Sequence, residues 1–224
     1  MTAFKQLIPR LVAIAALGVA FLALTVVVAL GWLNGPDHTV EQALASVWRP
    51  SLHGVFQAVA ELGGLELTTL VMIVLAIYLI RRGFPADAWV FLAFVAVQAF
   101  EIFYKAQLYH PEPPANVSHD DGPSISQLLS PTIAGSHNSY PSGHMVRAVL
   151  VYGLLAFVIR RLAPWPWARA LALPCAVVII VLLAFDRLYL QVHWESDVLG
   201  GILLGAVALV AATVWLDRPR GAQN

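Results

Sequence analysis

Charge is the first thing this chain lacks. Only 12% of its 224 residues are Asp, Glu, Lys or Arg, about half the share of an ordinary soluble domain. That shortage excludes the usual water-facing surface. Thirteen basic residues balance thirteen acidic ones, so net charge implies no polyanionic partner, and no basic run or nucleic-acid motif is present. The single cysteine, Cys175, lies in an apolar run; it excludes an intrachain disulfide and leaves the redox compartment unread. Internal repeats and low-complexity tracts are absent as well.

What is present is apolar. Hydrophobic residues make up 59% of the chain and mean hydropathy is +0.76, the composition of an integral membrane protein. Six apolar runs, at 11–33, 62–80, 86–104, 145–162, 168–185 and 198–216, are each near the length that crosses a bilayer core of about 30 Å as a helix. The first follows Lys5 and Arg10, exceeds a signal-peptide core in length and ends in no small-x-small cleavage site, which predicts an uncleaved span. The expectation is an all-α membrane protein, residues 1–224 forming one domain of six transmembrane helices.

Orientation is predicted from the short loops. With a cytoplasmic N-terminus, that side collects nine basic residues (Lys5, Arg10, Arg81, Arg82, Arg160, Arg161, Arg169, Arg218 and Arg220) and the other side three, Arg49, Lys105 and Arg187. The bias places both termini in the cytoplasm. Between the first two runs, residues 39–60 repeat apolar side chains at helical spacing across Pro50. They read as an interfacial helix pair on the outer surface or as a packed re-entrant or helical cap over the bundle. The longest loop, 110–140, carries His110, His119, His137, Asp120 and Asp121. Their spacing matches no recurrent ligand pattern, and neither metal nor cofactor is expected.

On that topology the chemistry-bearing residues converge. Lys105 ends the third span on the outer side, four residues after Glu101, with which it can pair. Pro141, Ser142, Gly143 and His144 open the fourth span on the same side, where unpaired N–H groups and the helix dipole favour a phosphate, and Gly143 allows its close approach. Arg187 ends the fifth. His193 and Asp197 open the sixth, four apart and on one face if helical. A histidine oriented by a carboxylate beside a guanidinium is equipped to attack phosphorus.

These residues resemble the type 2 phosphatidic acid phosphatase superfamily, membrane lipid phosphatases that share a core with vanadium haloperoxidases. Of its signatures K-x6-RP, PSGH and SR-x5-H-x3-D, the second is intact at Pro141–His144 and the third runs from Arg187 through His193 to Asp197, with Asp186 in place of serine. In the first, Lys105 is followed at the arginine position by Glu112. Three readings address that exchange: His110-Pro111 substitutes for Arg-Pro, Arg147 supplies the missing charge, or Arg147 pairs with Glu112. A fourth has Arg147 paired elsewhere in the bundle.

The resemblance implies that His193 forms a phosphohistidine, that Asp197 holds its other nitrogen and that His144 serves as acid and then base. It implies that Lys105, Arg187, Ser142 and Gly143 hold the phosphoryl oxygens. The expected function is a metal-independent lipid phosphate or pyrophosphate phosphatase at the outer face of the cytoplasmic membrane. Its expected partners are the bilayer and a polyprenyl pyrophosphate, phosphatidylglycerophosphate or phosphatidate substrate. The alternative is a non-catalytic phospholipid-binding or lipid-transport protein on the same fold; a serine protease pairing Ser142 with His193 is a weaker third.

Overall fold

The computed structural model describes residues 2–114, 119 and 138–218. Eight α-helices carry these residues: α1 (Thr2–Ala29), α2 (Asn34–Val47), α3 (Pro50–Ala60), α4 (Leu65–Arg81), α5 (Val90–Gln107), α6 (Gly143–Leu162), α7 (Pro166–Tyr189) and α8 (Glu195–Leu216). Short 3-10 turns, Glu61–Gly63 and Pro85–Trp89, precede α4 and α5. Among the described residues the only β pairing is an isolated bridge between Pro111 and Asn138.

Local chemistry sets several boundaries. The first apolar run, expected to continue to residue 33, leaves the helix after Ala29 because Gly31 takes φ +69°. Its N–H bonds Val28 O at 2.9 Å and the Trp32 N–H reaches Val27 O at 3.2 Å, the paired closure that a left-handed glycine allows. Pro50 and Pro166 start α3 and α7, where a missing N–H costs nothing.

The centre of the bundle is α6. Twelve of its 20 residues are buried, and it packs chiefly on α7 and α8, while α8 also packs on α1. One core joins Met72 and Leu79 of α4, Phe94 of α5, Leu150 and Leu154 of α6, and Leu204 of α8; a second joins Met145 and Ala148 of α6 to Ala176 and Leu183 of α7. The α6–α8 approach is close because Gly201 and Gly205 face α6. A Cβ on Gly201 would overlap the Ser142 carbonyl, and one on Gly205 the Val146 carbonyl. Small residues four apart bring helix backbones together where burial from water cannot drive packing. That contact seats the start of α6 beside the start of α8. Outward positions such as Val12, Val19, Val178 and Val181 are exposed and apolar, a lipid-facing surface.

Among the described residues four helices are long and apolar enough to cross a membrane: Leu7–Ala29, Pro85–Gln107, Pro166–Tyr189 and Glu195–Leu216. The segment Pro50–Gly63 with Leu65–Arg81, bent by 41°, makes a fifth as a broken pair. This revises the reading of 39–60. Two helices do form there, but α3 runs on into α4, so the run expected at 62–80 is the second half of a bent unit. The expected 145–162 run lies within buried α6.

At the bundle end formed by the starts of α1 and α5 and the ends of α6 and α8, ion pairs tie the helices together. Arg10 contacts Asp217 at 2.6 Å, Arg218 contacts Asp87 at 3.1 Å, and Arg161 lies 3.7 Å from Asp217 and 3.8 Å from Asp87. Arg218 also lies 3.9 Å over the Trp215 ring. The other end of the bundle holds the histidines.

Candidate active site

The last turn of α5, the first of α6, the last of α7 and the first of α8 meet at that end. Both ends of the long connection are fastened beneath it. Asn138 donates to Lys105 O at 2.8 Å and accepts from the His110 N–H at 3.0 Å, and the Ser139 N–H bonds His110 O at 2.8 Å. The Ser142 N–H donates to Asp197 O at 3.0 Å, tying the start of α6 directly to α8.

His193 lies in the turn between α7 and α8. Its Nδ1 is 3.3 Å from Asp197 Oδ2, which also accepts the Trp194 N–H at 2.9 Å. Burial, followed by the charges of Lys105 and Arg187, lowers the His193 pKa to about 3, with Glu112 and Glu101 acting in the opposite sense. The ring is therefore neutral near pH 7, and with Nδ1 turned to the carboxylate, Nε2 keeps the lone pair a nucleophile needs.

Across from it, the Arg147 guanidinium Nη2 lies 3.5 Å from His144 Nδ1. A guanidinium only donates, so this contact makes Nδ1 the acceptor and leaves the ring proton on Nε2. Arg147 also donates to Gly63 O at 2.9 Å and to Glu101 Oε2 at 3.2 Å. Lys105 Nζ is 3.2 Å from Glu101 Oε1. Arg187, 2% exposed, is gripped by Asp186 through Nε and Nη2, both at 2.7 Å. Ser142 is fully buried at the start of α6, and among the described residues its Oγ has no hydrogen-bond partner. A buried hydroxyl left in that state costs stability unless a ligand satisfies it.

The residues expected at one face are thus together: Lys105, Ser142, Gly143, His144, Arg187, His193 and Asp197. Two readings of the altered first signature are corrected. Arg147 does not pair with Glu112; its partner is Glu101, 3.2 Å away, so the pairing elsewhere in the bundle is the one adopted. Arg147 shares its charge with that carboxylate. His110 does not stand among the cations. It is buried against the other oxygen of Asp197, Nε2 to Oδ1 at 3.3 Å, with Ser196 Oγ also 3.3 Å away. Glu112 is exposed, close enough for its charge to act on His193. His119 stacks on Trp48 at 3.9 Å, away from the Asp197 contact of His110. His137, Asp120, Asp121 and Arg220 lie outside the described residues. Among the described residues no group of three or more His, Cys, Asp or Glu is arranged to hold a metal ion.

Sequence reasoning missed the support behind Asp197. Asp37, on α2, accepts the Ser196 N–H at 2.9 Å and its hydroxyl at 2.8 Å. Burial raises the Asp37 pKa, against the Ser196 hydrogen bonds, which lower it. Close contacts therefore run from Asp37 through Ser196 and His110 to Asp197 and His193, the His110–Asp197 step being an approach at 3.3 Å rather than a hydrogen bond. A cavity of about 270 Å³ lies on the His110 side, lined by Asp37, His38, Tyr109, His110, Pro111 and Trp194 among others. Gln191, at φ 55°, is held by two bonds to Glu41 of α2, 3.0 Å to Oε1 and 3.3 Å to its carbonyl; a non-glycine residue in that region needs such restraint.

Fold and site together define a helical membrane protein with a buried cluster of histidines, carboxylates and cations at one end of the bundle. Residues 88–220 match the family model of the PAP2 superfamily, and the chain belongs to that superfamily. It is 38% identical over 78 residues to phosphatidylglycerophosphatase B of Bacillus subtilis (strain 168), covering 34% of this chain and 38% of that one. Over 77 residues it is 34% identical to "Putative undecaprenyl-diphosphatase YbjG" of Escherichia coli (strain K12), covering 34% of each. The chain thus aligns with little more than a third of either relative's length. A crystal structure of a transmembrane PAP2-type phosphatidylglycerolphosphate phosphatase from Bacillus subtilis superposes with a TM-score of 0.76 at 22% identity, over 89% of this chain and 94% of that one. At that identity the likeness is one of fold.

Proposed function

We propose that this protein is a lipid phosphate or diphosphate phosphatase that works through a phosphohistidine at His193. The observation that carries this reading is the His193–Asp197 contact at 3.3 Å, near Lys105, Arg187 and a Ser142 hydroxyl that has no partner among the described residues. His193 Nε2 attacks phosphorus as the bond to the leaving oxygen breaks, and Asp197 stabilises the positive charge that develops on the ring. His144 gives a proton to the departing oxygen, then takes one from the water that attacks the phosphohistidine and releases inorganic phosphate. A bound phosphoryl dianion supplies the counter-charge that a protonated His144 needs beside Arg147. Lys105, Arg187, the Ser142 hydroxyl and the Gly143 amide hold the phosphoryl oxygens as charge redistributes. No step draws on a metal.

The same reading takes residues 1–224 as one domain with six spans, α6 included, in the cytoplasmic membrane. Both termini are cytoplasmic and the site opens on the outer face. The excess of basic residues at the opposite end supports it. A site at the interface suits a substrate whose tail stays in the bilayer. Phosphatidylglycerophosphate and a polyprenyl diphosphate are candidates because proteins named for those activities are similar to this one; phosphatidate is the third. Glu112 at the arginine position favours a headgroup offering a hydroxyl or amine.

The test is phosphate release by purified protein in detergent with EDTA from a panel of these lipids, with His193→Ala beside it. Release that disappears in the variant supports the reading, and the preferred lipid names the substrate. A folded protein that binds the lipids and releases nothing from any of them would replace it with the phospholipid-binding or transport alternative, for which the loss of the signature arginine is the supporting observation.

A further inference from the structure

Glu101 is a second acid at the site, and its surroundings are those of a ligand. It is 8% exposed on α5, with Oε1 3.2 Å from Lys105 Nζ and Oε2 3.2 Å from Arg147 Nη1. Its carboxyl group lies directly against Gly143, where a Cβ would overlap all three carboxyl atoms. An ammonium, a guanidinium and the first turn of a helix thus surround one carboxylate. Those are the donors that bind phosphoryl oxygens. Gly143, read from sequence as room for a phosphate, makes room here for Glu101.

The charge arithmetic agrees. Lys105 and Arg147 share Glu101, and Arg187 is gripped by Asp186. An arriving phosphoryl group therefore meets cations already matched by carboxylates. A carboxylate carries one charge on two oxygens; a phosphoryl dianion carries more charge on three, and so can displace it.

We propose that Glu101 is an internal competitor for the phosphoryl site. It holds Lys105 and Arg147 in the empty protein, yields them to the phosphoryl group of the substrate, and reclaims them as inorganic phosphate departs. This inference takes its site from the proposed function, but its test does not depend on turnover. The device weakens phosphoryl binding in general. A lipid substrate offsets that loss through the contacts of its tail and headgroup, whereas free phosphate has none to offer. Free phosphate is thereby selected against, and the product leaves readily. If Glu101 instead only orients the two cations, its removal has the opposite sign.

The experiment is calorimetric titration of the full-length protein in detergent with inorganic phosphate, for wild type, Glu101→Gln and Glu101→Asp. Glu101→Gln is expected to bind phosphate about tenfold more tightly or better, because one negative charge about 3 Å from both cations is gone. Glu101→Asp draws the carboxylate back by one methylene and is expected to lie between the two; it decides the matter if Glu101→Gln fails to fold. Equal or weaker binding by the folded variants, or no binding by any form, would overturn the proposal. Tighter phosphate binding without lipid turnover in any form would sink the phosphatase reading alone, and turnover with unchanged phosphate binding would sink this one alone.

Discussion

The two ends of the helix bundle use similar side chains to opposite effect. At one end Arg10, Arg161 and Arg218 meet Asp87 and Asp217, and the three arginines and Asp217 are roughly a quarter to a third exposed. There the ions clip α1, α6, α8 and the turn before α5 to one another. At the other end Glu101, Arg147, Asp186, Arg187 and Asp197 are all buried, and the Ser142 hydroxyl beside them is without a partner among the described residues. Water can screen and relax the pairs of Asp217, so each contributes little, whereas Asp87, held by Arg161 and Arg218, is itself buried. The second set is buried, where a charge without its partner is costly. Groups are kept in that condition where a ligand is to complete them.

Variants at the two ends should therefore differ in kind, and the largest effect belongs to Asp197. Asp197→Asn removes the acceptor that orients His193 and supports its positive charge, and should lower kcat by about 10³-fold with little change in KM. Steady-state kinetics on the preferred lipid decides it, and a tenfold change in KM with kcat preserved would mean that Asp197 binds substrate instead.

The chain behind Asp197 should matter less. His110→Ala should lower kcat about tenfold, and His110→Gln, which returns an N–H near Asp197 Oδ1, should recover most of it. A merely space-filling role for His110 would show both variants equally impaired.

Acid should weaken the site end through His193. Its folded pKa of about 3 lies below the unfolded value of about 6.5. Between these values the unfolded chain binds the extra proton, so stability falls as pH falls through that window, by up to about 1.4 kcal/mol per pH unit from this group. Above pH 6.5 the group contributes no slope. Thermal unfolding of wild type and His193→Gln from pH 7 to pH 4 should show a shallower fall in the variant; parallel curves would mean that His193 titrates normally.

The smallest effect is expected at the far end. Asp217→Asn should cost about 1 kcal/mol or less and leave kcat and KM within about twofold of wild type. A loss of turnover there without loss of stability would mean that the two ends are coupled, which would break the contrast.

Much of the site was legible because its signals are local. His193 and Asp197 are four apart, Pro141–His144 is contiguous, and every spacing survives whatever the bundle does. Gly201 and Gly205, also four apart, drew no reading from the sequence; their importance emerges only when α6 is seen against them. Asp37 and Ser196 carried no such signal. Asp37 lies in a stretch that reads as surface, and its partner is 159 residues away. The partner of Arg147 was left open for the same reason: the sequence offered Glu112, at the family's arginine position, or an acid elsewhere in the bundle, and Glu101, 46 residues away, is the one that packing brings within reach.

The membrane character, the run of apolar helices and the identity of the histidine pair were determined by the sequence alone, since composition, period and short spacing act along the chain. Tertiary structure alone decided which carboxylate each cation holds, that His110 lies against Asp197, and that α3 continues into α4 as a bent unit. The physical reason is range. Hydropathy and helix period are summed over neighbours in the chain, whereas a buried charge takes whatever counter-charge the packed helices bring near it, and sequence distance does not enter that choice.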